Sequence, residues 1–440
     1  MKELFFDLFD YAGKQLRGTE VLLANFAGEE SDFVRFNRAR VRQAMTIQQA
    51  YLTLTLIDGR RRDNVTLAVS GQSDADRAAL RAAIDGMRTT LPSLPDDPYL
   101  LYATDLHSSE RIDTGVLPAP DQALDTIVAA AGDADLVGIL ASGPVTRGFA
   151  NSLGQRNWHA VASCNFEWSL YHADDKAVKS AWAAASWDGA ALAARIEDSR
   201  AQLVHLAQPP RTIEPGAYRA YLAPAAFDEL LWMLNWGGVS CKAQRTKQSP
   251  LQKLVDGETA LSSRVFLREN SADGLAPAFD SMGFVKPHAV ELIRAGNHAA
   301  SMVSPRTSAE YGVAANGAGD DESMASMDVG AGTLANDAAL AALDTGVYIG
   351  NLWYLNYSDR PNCRITGMTR FATFWVEDGQ IRAPLSVMRF DDSLYRMLGD
   401  HLIDFTRERE WILNTGTYGQ RSVQTSRLPG ALLSRVAFTL

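Results

Sequence analysis

Residues Asp344–Pro384 read DTGVYIGNLWYLNYSDRPNCRITGMTRFATFWVEDGQIRAP, and they decide the fold of the largest part of the chain. The stretch holds two apolar runs, Val347–Tyr357 and Phe371–Val376, and a third run begins at Ile381. Tyr, Trp, Phe, Thr and Val dominate these runs, as is typical of strands with one buried face. The Asp-Gly pair at residues 378–379 favours a tight hairpin between the last two runs. The stretch therefore predicts the central sheet of the main domain.

Between the first two runs lies a polar segment, Ser358–Thr369, which we predict to be a loop. It leads into RITGMTR (Arg364–Arg370), which is rich in hydrogen-bonding groups and contains one glycine. Arg364 and Arg370 flank Thr366 in this motif. The two arginines either bind a carboxylate bidentately or support a loop by contacting backbone carbonyls, and the residues alone leave both roles open.

The composition is that of an ordinary globular protein of 440 residues, with 46% hydrophobic and 21% charged residues. The net charge of −10 opposes broad binding of nucleic acid, which needs a basic surface. Three widely spaced cysteines form neither a CxxC pair nor a disulfide framework, and the N-terminus lacks the features of a signal peptide. No apolar run is long enough to span a bilayer. We therefore expect a cytoplasmic protein that binds neither membranes nor nucleic acid.

The order of elements predicts an α+β fold with several domains: N-terminal α/β sandwich-like units, followed by a large, mostly antiparallel, β-rich C-terminal domain. We place the domains at residues 1–105, 106–210 and 211–440. In the third unit, Pro224–Trp236 predicts a buried helix because it is apolar nearly all round, and Ser393–Ile403 predicts the last helix. Tyr311–Asp337 is rich in Gly, Ala, Ser and Asp and predicts a surface loop; whether it is a gate is open.

Common catalytic motifs are missing from the sequence. The seven histidines are scattered, with no pair at the spacing of a zinc hydrolase, and neither a GxSxG elbow nor a phosphate-binding loop is present. Cys363 is a candidate nucleophile, but a single cysteine in a strand-rich domain more often serves packing. From the residues alone, no reaction can be named.

The segment GVYIGNLWYLNYSDRPNCRITGMTRFATFWVEDGQI (residues 346–381) closely resembles the signature of the TldD/PmbA family. Members of that family have been described as modulators of DNA gyrase and as metallopeptidases. Other segments resemble family segments in the same order: Asn151–Gly154, Leu292–Gly296 and Glu310–Gly317. The N-terminal region Phe33–Asp58 also fits, so the resemblance covers nearly the whole chain.

The sequence departs from the zinc-bearing TldD branch at its metal motif. In that branch a helix carries HExxxH, with two histidines as zinc ligands and the glutamate as general base. The matching helix here is Phe227–Gly238, FDELLWMLNWGG. Trp232 and Gly237 stand at the histidine positions and Met233 at the glutamate position, and none of them provides a zinc ligand or a base. The chain is therefore similar to the PmbA (TldE) branch, which lacks the zinc motif.

The resemblance implies a cytosolic heterodimeric metallopeptidase that admits unfolded proteins or peptides into a cavity, where a TldD-type partner cuts them. It implies no catalytic residue and no cofactor in this chain, with zinc only in the partner. This chain would form part of the cavity wall, and its substrate, like the partner's identity, stays open. The candidate substrate-binding residues are Asn351, Tyr354, Tyr357, Arg364, Thr366 and Arg370.

Three alternatives remain. The first is a stand-alone homodimer that binds peptides or proteins without catalysis. Whether the chain also forms a homodimer when it is isolated from its partner is open. The second is an enzyme with a site that does not use zinc, built from Cys363, Arg364, Thr366 and Arg370. The third, a DNA-binding gyrase modulator, is opposed by the acidic charge.

Overall fold

The computed structural model describes residues 1–172 and 176–439. The chain forms one seven-stranded and one eleven-stranded sheet with helices packed against them. Both sheets are largely antiparallel, so the predicted α+β class with a β-rich C-terminal part is confirmed. None of the helices in these two ranges combines the length and apolar character needed to cross a membrane.

The first sheet is formed by the N-terminal half of the chain. Its strands, in chain order, are β1 (Val21–Asn37), β2 (Arg40–Asp58), β3 (Arg61–Ala68), β4 (Ser109–Asp113), β5 (Asp135–Asn151), β6 (Arg156–Tyr171) and β7 (Ala177–Ala184). The helices that accompany it are α1 (Lys2–Gly13), α2 (Ser73–Thr90), α3 (Pro120–Ala131) and α4 (Gly189–Leu206). The spatial order is β3-β2-β1-β5-β6-β4, and β7 also pairs with β6.

Of the two predicted domain limits, the one at residues 105/106 lies between strands of this sheet and the one at residues 210/211 lies after its last strand. Strand β1 pairs with β5 over most of its length, from Leu23 opposite Asn151 to Phe36 opposite Gly138. Strands on both sides of the limit predicted at residues 105/106 therefore share one sheet. The limit predicted at residues 210/211 falls between the two sheets, because β7 ends at Ala184 and the next strand begins at Gly216. As domain limits, both positions stay predictions.

The second sheet belongs to the C-terminal half. Its strands are β8 (Gly216–Leu222), β9 (Leu267–Glu269), β10 (Val290–Arg294), β11 (Asn297–His298), β12 (Ser326–Val329), β13 (Gly346–Asp359), β14 (Arg364–Glu377), β15 (Gln380–Pro384), β16 (Arg389–Ser393), β17 (Leu402–Leu413) and β18 (Thr425–Phe438). The helices are α5 (Pro224–Trp232), α6 (Cys241–Arg245), α7 (Gln252–Val255), α8 (Pro305–Tyr311), α9 (Ala339–Leu343) and α10 (Leu394–Met397). The order is β11-β10-β9-β12-β18-β16-β14-β13-β8, with β15 on β14 and β17 on β18. Because β18 also pairs with β8, the strands β8, β13, β14, β16 and β18 form a closed ring.

The stretch from Asp344 to Pro384 lies in this ring, and its predicted hairpin is confirmed. Asp378 and Gly379 both adopt positive φ, at 51° and 69°, between the antiparallel strands β14 and β15. The loop predicted at Ser358–Thr369 is wrong for most of its length, because β14 already begins at Arg364. Its side chains alternate between half-buried and buried positions from Arg364 to Thr369, which is the period of a strand. The polar composition of RITGMT concealed that alternation, since Ile365 is its only strongly apolar buried side chain.

Two further expectations for the C-terminal half need correction. The helix predicted at Ser393–Ile403 is reduced to the single turn of α10, because β16 and β17 occupy the residues on either side. The segment Tyr311–Asp337 is not a continuous surface loop, because it contains β12, whose four residues are all buried. Strand β12 lies between β9 and β18 in the sheet.

Glu322 fixes the glycine-rich segment that precedes β12. Its side chain is buried and accepts hydrogen bonds from the Ser240 hydroxyl (2.6 Å) and from the backbone N–H groups of Lys242 (2.9 Å) and Ser304 (2.8 Å). These donors lie at the start of α6 and just before α8. A buried carboxylate with three donors holds its segment in place, which opposes the idea that the whole of 311–337 moves as a gate.

We expect Glu322→Gln to loosen this segment, because the amide offers one acceptor oxygen where the carboxylate offers two charged ones. Losing charge-assisted hydrogen bonds of this kind should lower the local free energy of opening by about 1–3 kcal/mol. Hydrogen exchange of amides in residues 317–329 would measure the change. Asp320→Asn removes an exposed carboxylate from the same segment and is the matched control. Equal exchange in both variants would contradict the anchoring role.

Candidate functional site

A cavity of about 720 Å³ lies between the N-terminal and C-terminal halves of the chain. One wall comes from β6, β7 and α4, and the other comes from β8, α5, β13 and β17. Its volume is within the range of pockets that bind small molecules or short peptide segments. The cavity is therefore the candidate functional site.

Helix α5 contributes the most unusual part of the wall. It begins with Pro224, whose missing N–H and fixed φ suit a first helical position. Phe227 is fully buried and packs against Phe405 in the core of the C-terminal half, with ring centroids 5.4 Å apart. Asp228 and Glu229 line the cavity together with Trp232, one turn further along. The apolar side of α5 thus holds the helix in the core while two carboxylates and an indole line the cavity.

Burial raises the pKa of the Asp228 carboxyl to about 7 and that of Glu229 to about 7. Asp228 is 8% exposed, and its buried Oδ1 has no hydrogen-bond partner among the described residues. Glu229 Oε2 accepts a 2.6 Å hydrogen bond from the backbone N–H of Leu352, which favours the ionised form but does not outweigh burial. Both groups therefore change charge near neutral pH.

Four of the remaining charged side chains of the cavity form two ion pairs. Lys179 lies 2.7 Å from Glu167 Oε1, and the Thr415 hydroxyl donates to Glu167 Oε2 at 2.6 Å. Burial opposes ionisation of Glu167, but Lys179 and Thr415 outweigh it and keep its pKa below the usual value. Arg195 of α4 donates to both carboxylate oxygens of Glu410 in β17, at 3.0 and 2.9 Å. The Thr415–Glu167 hydrogen bond and the Arg195–Glu410 pair connect the two halves across the cavity.

The six candidate substrate-binding residues do not meet in one place. Asn351 is nearly buried and lines the cavity. Arg370 lies opposite Asn351 on β14, is exposed, and places its guanidinium 4.3 Å from the centroid of the Trp353 ring. Tyr354, at 78% exposure, follows Trp353 on β13. Strand β13 thus runs from the cavity wall to an exposed group of aromatic and arginine side chains.

The polar groups of the other three candidates already form hydrogen bonds to other residues of the chain. Arg364 donates from Nε to Asp391 Oδ1 at 2.6 Å and from Nη2 to the Asp391 carbonyl at 2.9 Å, so the supporting role is the one its contacts show. The Thr366 hydroxyl donates to the Phe390 carbonyl at 2.9 Å. The Tyr357 hydroxyl donates to the Met233 carbonyl at 2.7 Å. Their part in substrate binding stays a prediction.

The three positions of the altered zinc motif lie at and beyond the end of α5. Trp232 is the last residue of the helix, and Met233 is buried in the following 3-10 turn. Gly237 lies past that turn with a φ of 87°. Within residues 1–172 and 176–439, no three His, Cys, Asp or Glu side chains are placed to share a metal ion. The residues at these positions do not fit the zinc site that the motif would form.

Comparison with known proteins agrees with the resemblance seen in the sequence. A profile described as the PmbA/TldA metallopeptidase C-terminal domain matches residues 215–439, just over half of the chain. The chain belongs to the TldD/PmbA family. That membership supports a role within a peptidase family. None of the curated protein sequences is significantly similar to the chain.

Solved structures share the fold of this TldD/PmbA chain over its whole length. TldE from Thermococcus kodakarensis has a TM-score of 0.80 at 14% identity, covering 99% of this chain and 100% of that one. A proposed modulator of DNA gyrase from Thermotoga maritima has a TM-score of 0.78 at 13% identity, covering 99% of both chains. A proposed modulator of DNA gyrase from Bacteroides thetaiotaomicron has a TM-score of 0.76 at 15% identity, covering 100% and 98%.

Asp228 and Glu229 are the residues that sequence reasoning missed in this TldD/PmbA chain. A signal was present, because two adjacent carboxylates stand in a segment that is otherwise apolar nearly all round. Charged residues in a helix predicted to be buried need a partner or a function. The positions of the zinc motif fall on Trp232 and Met233, which follow the two acids in the same segment.

Proposed function

We propose that this chain is the non-zinc subunit of a TldD/PmbA-type peptidase and forms part of the wall of a cavity that receives unfolded protein or peptide. The observation that carries the proposal is helix α5, which presents Asp228, Glu229 and Trp232 to the cavity in the region where the family's zinc motif would lie. Catalysis then requires a TldD-type partner with the complete motif. The full-length likeness to a protein named TldE supports the same assignment.

An extended peptide would lie along β13 in this proposal. The strand continues from Tyr348 and Asn351 in the cavity to Trp353 and Tyr354 on the surface. Strand addition gives affinity through main-chain hydrogen bonds, and pockets for side chains add preference. The register shifts of β13 at Ile349/Asn351 and Trp353/Asn356 leave backbone groups outside the regular ladder, where a peptide can pair with them.

We expect the chain alone to leave an unstructured reporter peptide intact and to contain no stoichiometric zinc. Mixed with a TldD-type subunit from the same source, it should support cleavage. The measurements are elemental analysis and a fluorogenic cleavage assay of each subunit and of the mixture. A partner whose motif glutamate is replaced by glutamine is the control, and its mixture should be inactive because the general base is missing.

Cleavage by the chain alone, or stoichiometric zinc in it, would contradict the proposal. A stable self-dimer that binds the peptide, combined with an inactive mixture, would instead favour the stand-alone peptide-binding homodimer.

A further inference from the structure

The charges that line the cavity do not balance. Among the described residues, the only Lys or Arg side chains in its lining are Lys179 and Arg195, and each is already paired with an acid. Five carboxylates line the cavity: Glu167, Asp198, Asp228, Glu229 and Glu410. No Lys or Arg in the described ranges lies within ion-pairing distance of Asp228 or Glu229. Asp198 is exposed at the rim, where water solvates it. The uncompensated negative charge is therefore concentrated on α5.

The carboxyl group of Asp228 is built into the wall and is not a surface feature. The residue is more than nine-tenths buried, and its Oδ1 makes no hydrogen bond of normal geometry in the described part of the chain, although the Ser426 hydroxyl and the Trp232 indole lie near the carboxyl group. A buried acceptor without a well-formed hydrogen bond costs free energy. A ligand that donates a hydrogen bond and carries positive charge would remove that cost.

Aromatic side chains line the cavity together with Asp228 and Glu229. Trp232 is four residues after Asp228 and so lies on the same side of α5. Tyr221 and Tyr348 also line the cavity, with ring centroids 5.7 Å apart. Aromatic faces attract ammonium and guanidinium groups, most strongly where water is excluded. The carboxylates and the aromatic rings of the cavity therefore favour the same ligand group, a cation carried on an apolar side chain.

We propose that Asp228, Glu229 and Trp232 form a subsite for a cationic group of a peptide: a Lys ammonium, an Arg guanidinium or the N-terminal ammonium. The inference rests on the proposed function, since the occupant is a peptide, and it adds a substrate preference. Glu229 keeps one oxygen on the Leu352 N–H, and its second oxygen is available to the cation. Peptides with a basic residue at the matching position are preferred over neutral ones.

Charge on the two acids makes the preference depend on pH. Burial places their pKa near 7, so raising the pH through 7 ionises them and strengthens cation binding. The other titratable or charged groups that line the cavity are Glu167, Lys179, Arg195, Asp198, His205, Tyr221, Tyr348 and Glu410. The variants below separate the effect of Asp228 and Glu229 from that of these groups.

The test measures equilibrium binding of pentapeptides by calorimetry. Acetylated and amidated peptides carry a central Lys, Arg or norleucine, and a norleucine peptide with a free N-terminus tests the terminal ammonium. We expect the best cationic peptide to bind at least about tenfold more tightly than the capped norleucine peptide, because a charged hydrogen bond contributes about 1.5–3 kcal/mol. For the Lys and Arg peptides, whose charge does not change in this range, the advantage should be larger at about pH 8 than at about pH 6.

Asp228→Asn and Glu229→Gln keep the shape of the side chains and should each remove most of that advantage and its pH dependence. Asp400→Asn, in an exposed turn before β17, is the control for a change in total charge and should keep both. The comparison of cationic with neutral peptides in the unaltered chain needs no variant, so it can contradict the subsite even if a variant folds poorly. All titrations are repeated with an inactive TldD-type partner present.

Equal binding of cationic and neutral peptides, with and without the partner, would overturn the subsite while leaving the proposed function intact. A pH dependence that persists in both variants would assign it to another group and also overturn the inference. Tight binding of zinc or magnesium ions that Asp228→Asn abolishes would assign the carboxylates to a metal instead. Cationic preference without any cleavage by the mixture would support the subsite and contradict the proposed function.

Discussion

Replacing Arg421 by methionine is expected to lower the free energy of unfolding by about 3–5 kcal/mol, since it removes one member of a buried charged network. Arg421 lies in the segment between β17 and β18 of the C-terminal half, yet it is only 2% exposed because it enters the N-terminal sheet. Its guanidinium donates to the carbonyl of Gly143 (3.0 Å) and to the carbonyl (3.0 Å) and hydroxyl (2.8 Å) of Ser163. It also contacts Asn165 and Ser31.

The size of the effect follows from what the substitution leaves behind. Methionine fills much of the space but donates no hydrogen bond, so acceptors in β5 and β6 stay buried without a donor. Glu29, which is 1% exposed and accepts the backbone N–H of Arg421, loses one of the positive charges near it. Unfolding in urea, followed by fluorescence and circular dichroism, measures the loss.

Arg427→Met is the matched control, because Arg427 is an exposed residue of β18. It should change the free energy of unfolding by no more than about 0.5 kcal/mol. If Arg421→Met were as stable as Arg427→Met, Arg421 would not be a structural link between the two sheets.

Arg421 also shows which part of the fold the sequence does not reveal. The hairpin at residues 378–379 is readable because positive φ is a local property of Asp-Gly. The buried helix α5 is readable because apolar residues cover nearly all its sides. Arg421 has no such local signature, since its partners lie more than 250 positions away in the chain. Its burial is decided by the packing of two sheets.

The candidate site, like the fold, was predictable from the sequence only in part. Asn351 is on the cavity wall because it belongs to β13, a strand that its composition identifies. Arg364 and Thr366 belong to the segment predicted to be a loop, but in β14 they face β16 and bind its backbone or Asp391. Side-chain direction in a strand alternates with each residue, so an error about loop or strand becomes an error about which residues share a site.

Asp228→Asn is expected to stabilise the protein at about pH 8 and to leave its stability nearly unchanged at about pH 4. In the unfolded chain the Asp carboxyl ionises near pH 3.9, whereas burial in the folded chain raises its pKa to about 7. Between these values the folded state holds a proton that the unfolded state has released. The free energy of unfolding therefore falls as the pH rises through this window and levels off above 7.

The substitution removes this pH-dependent cost. Each pKa unit corresponds to about 1.4 kcal/mol, so the gain at pH 8 is of the order of a few kcal/mol. Near pH 4 the folded Asp228 is neutral and resembles asparagine, so the two proteins should be about equally stable. Urea unfolding across this pH range measures the difference, with Asp400→Asn as the exposed control. A gain that is equal at both ends of the range would show that burial of charge is not its cause.

A carboxyl group that lowers stability at neutral pH, and that a single substitution relieves, is hard to explain as part of the scaffold. Proteins commonly accept such a cost where a residue serves binding or catalysis. If the more stable variant also loses the preference for cationic peptides, one carboxyl group accounts for both effects. If the variant is stabilised but its peptide preference is unchanged, Asp228 has no role in peptide binding. Glu229 alone would then have to form the carboxylate part of the subsite.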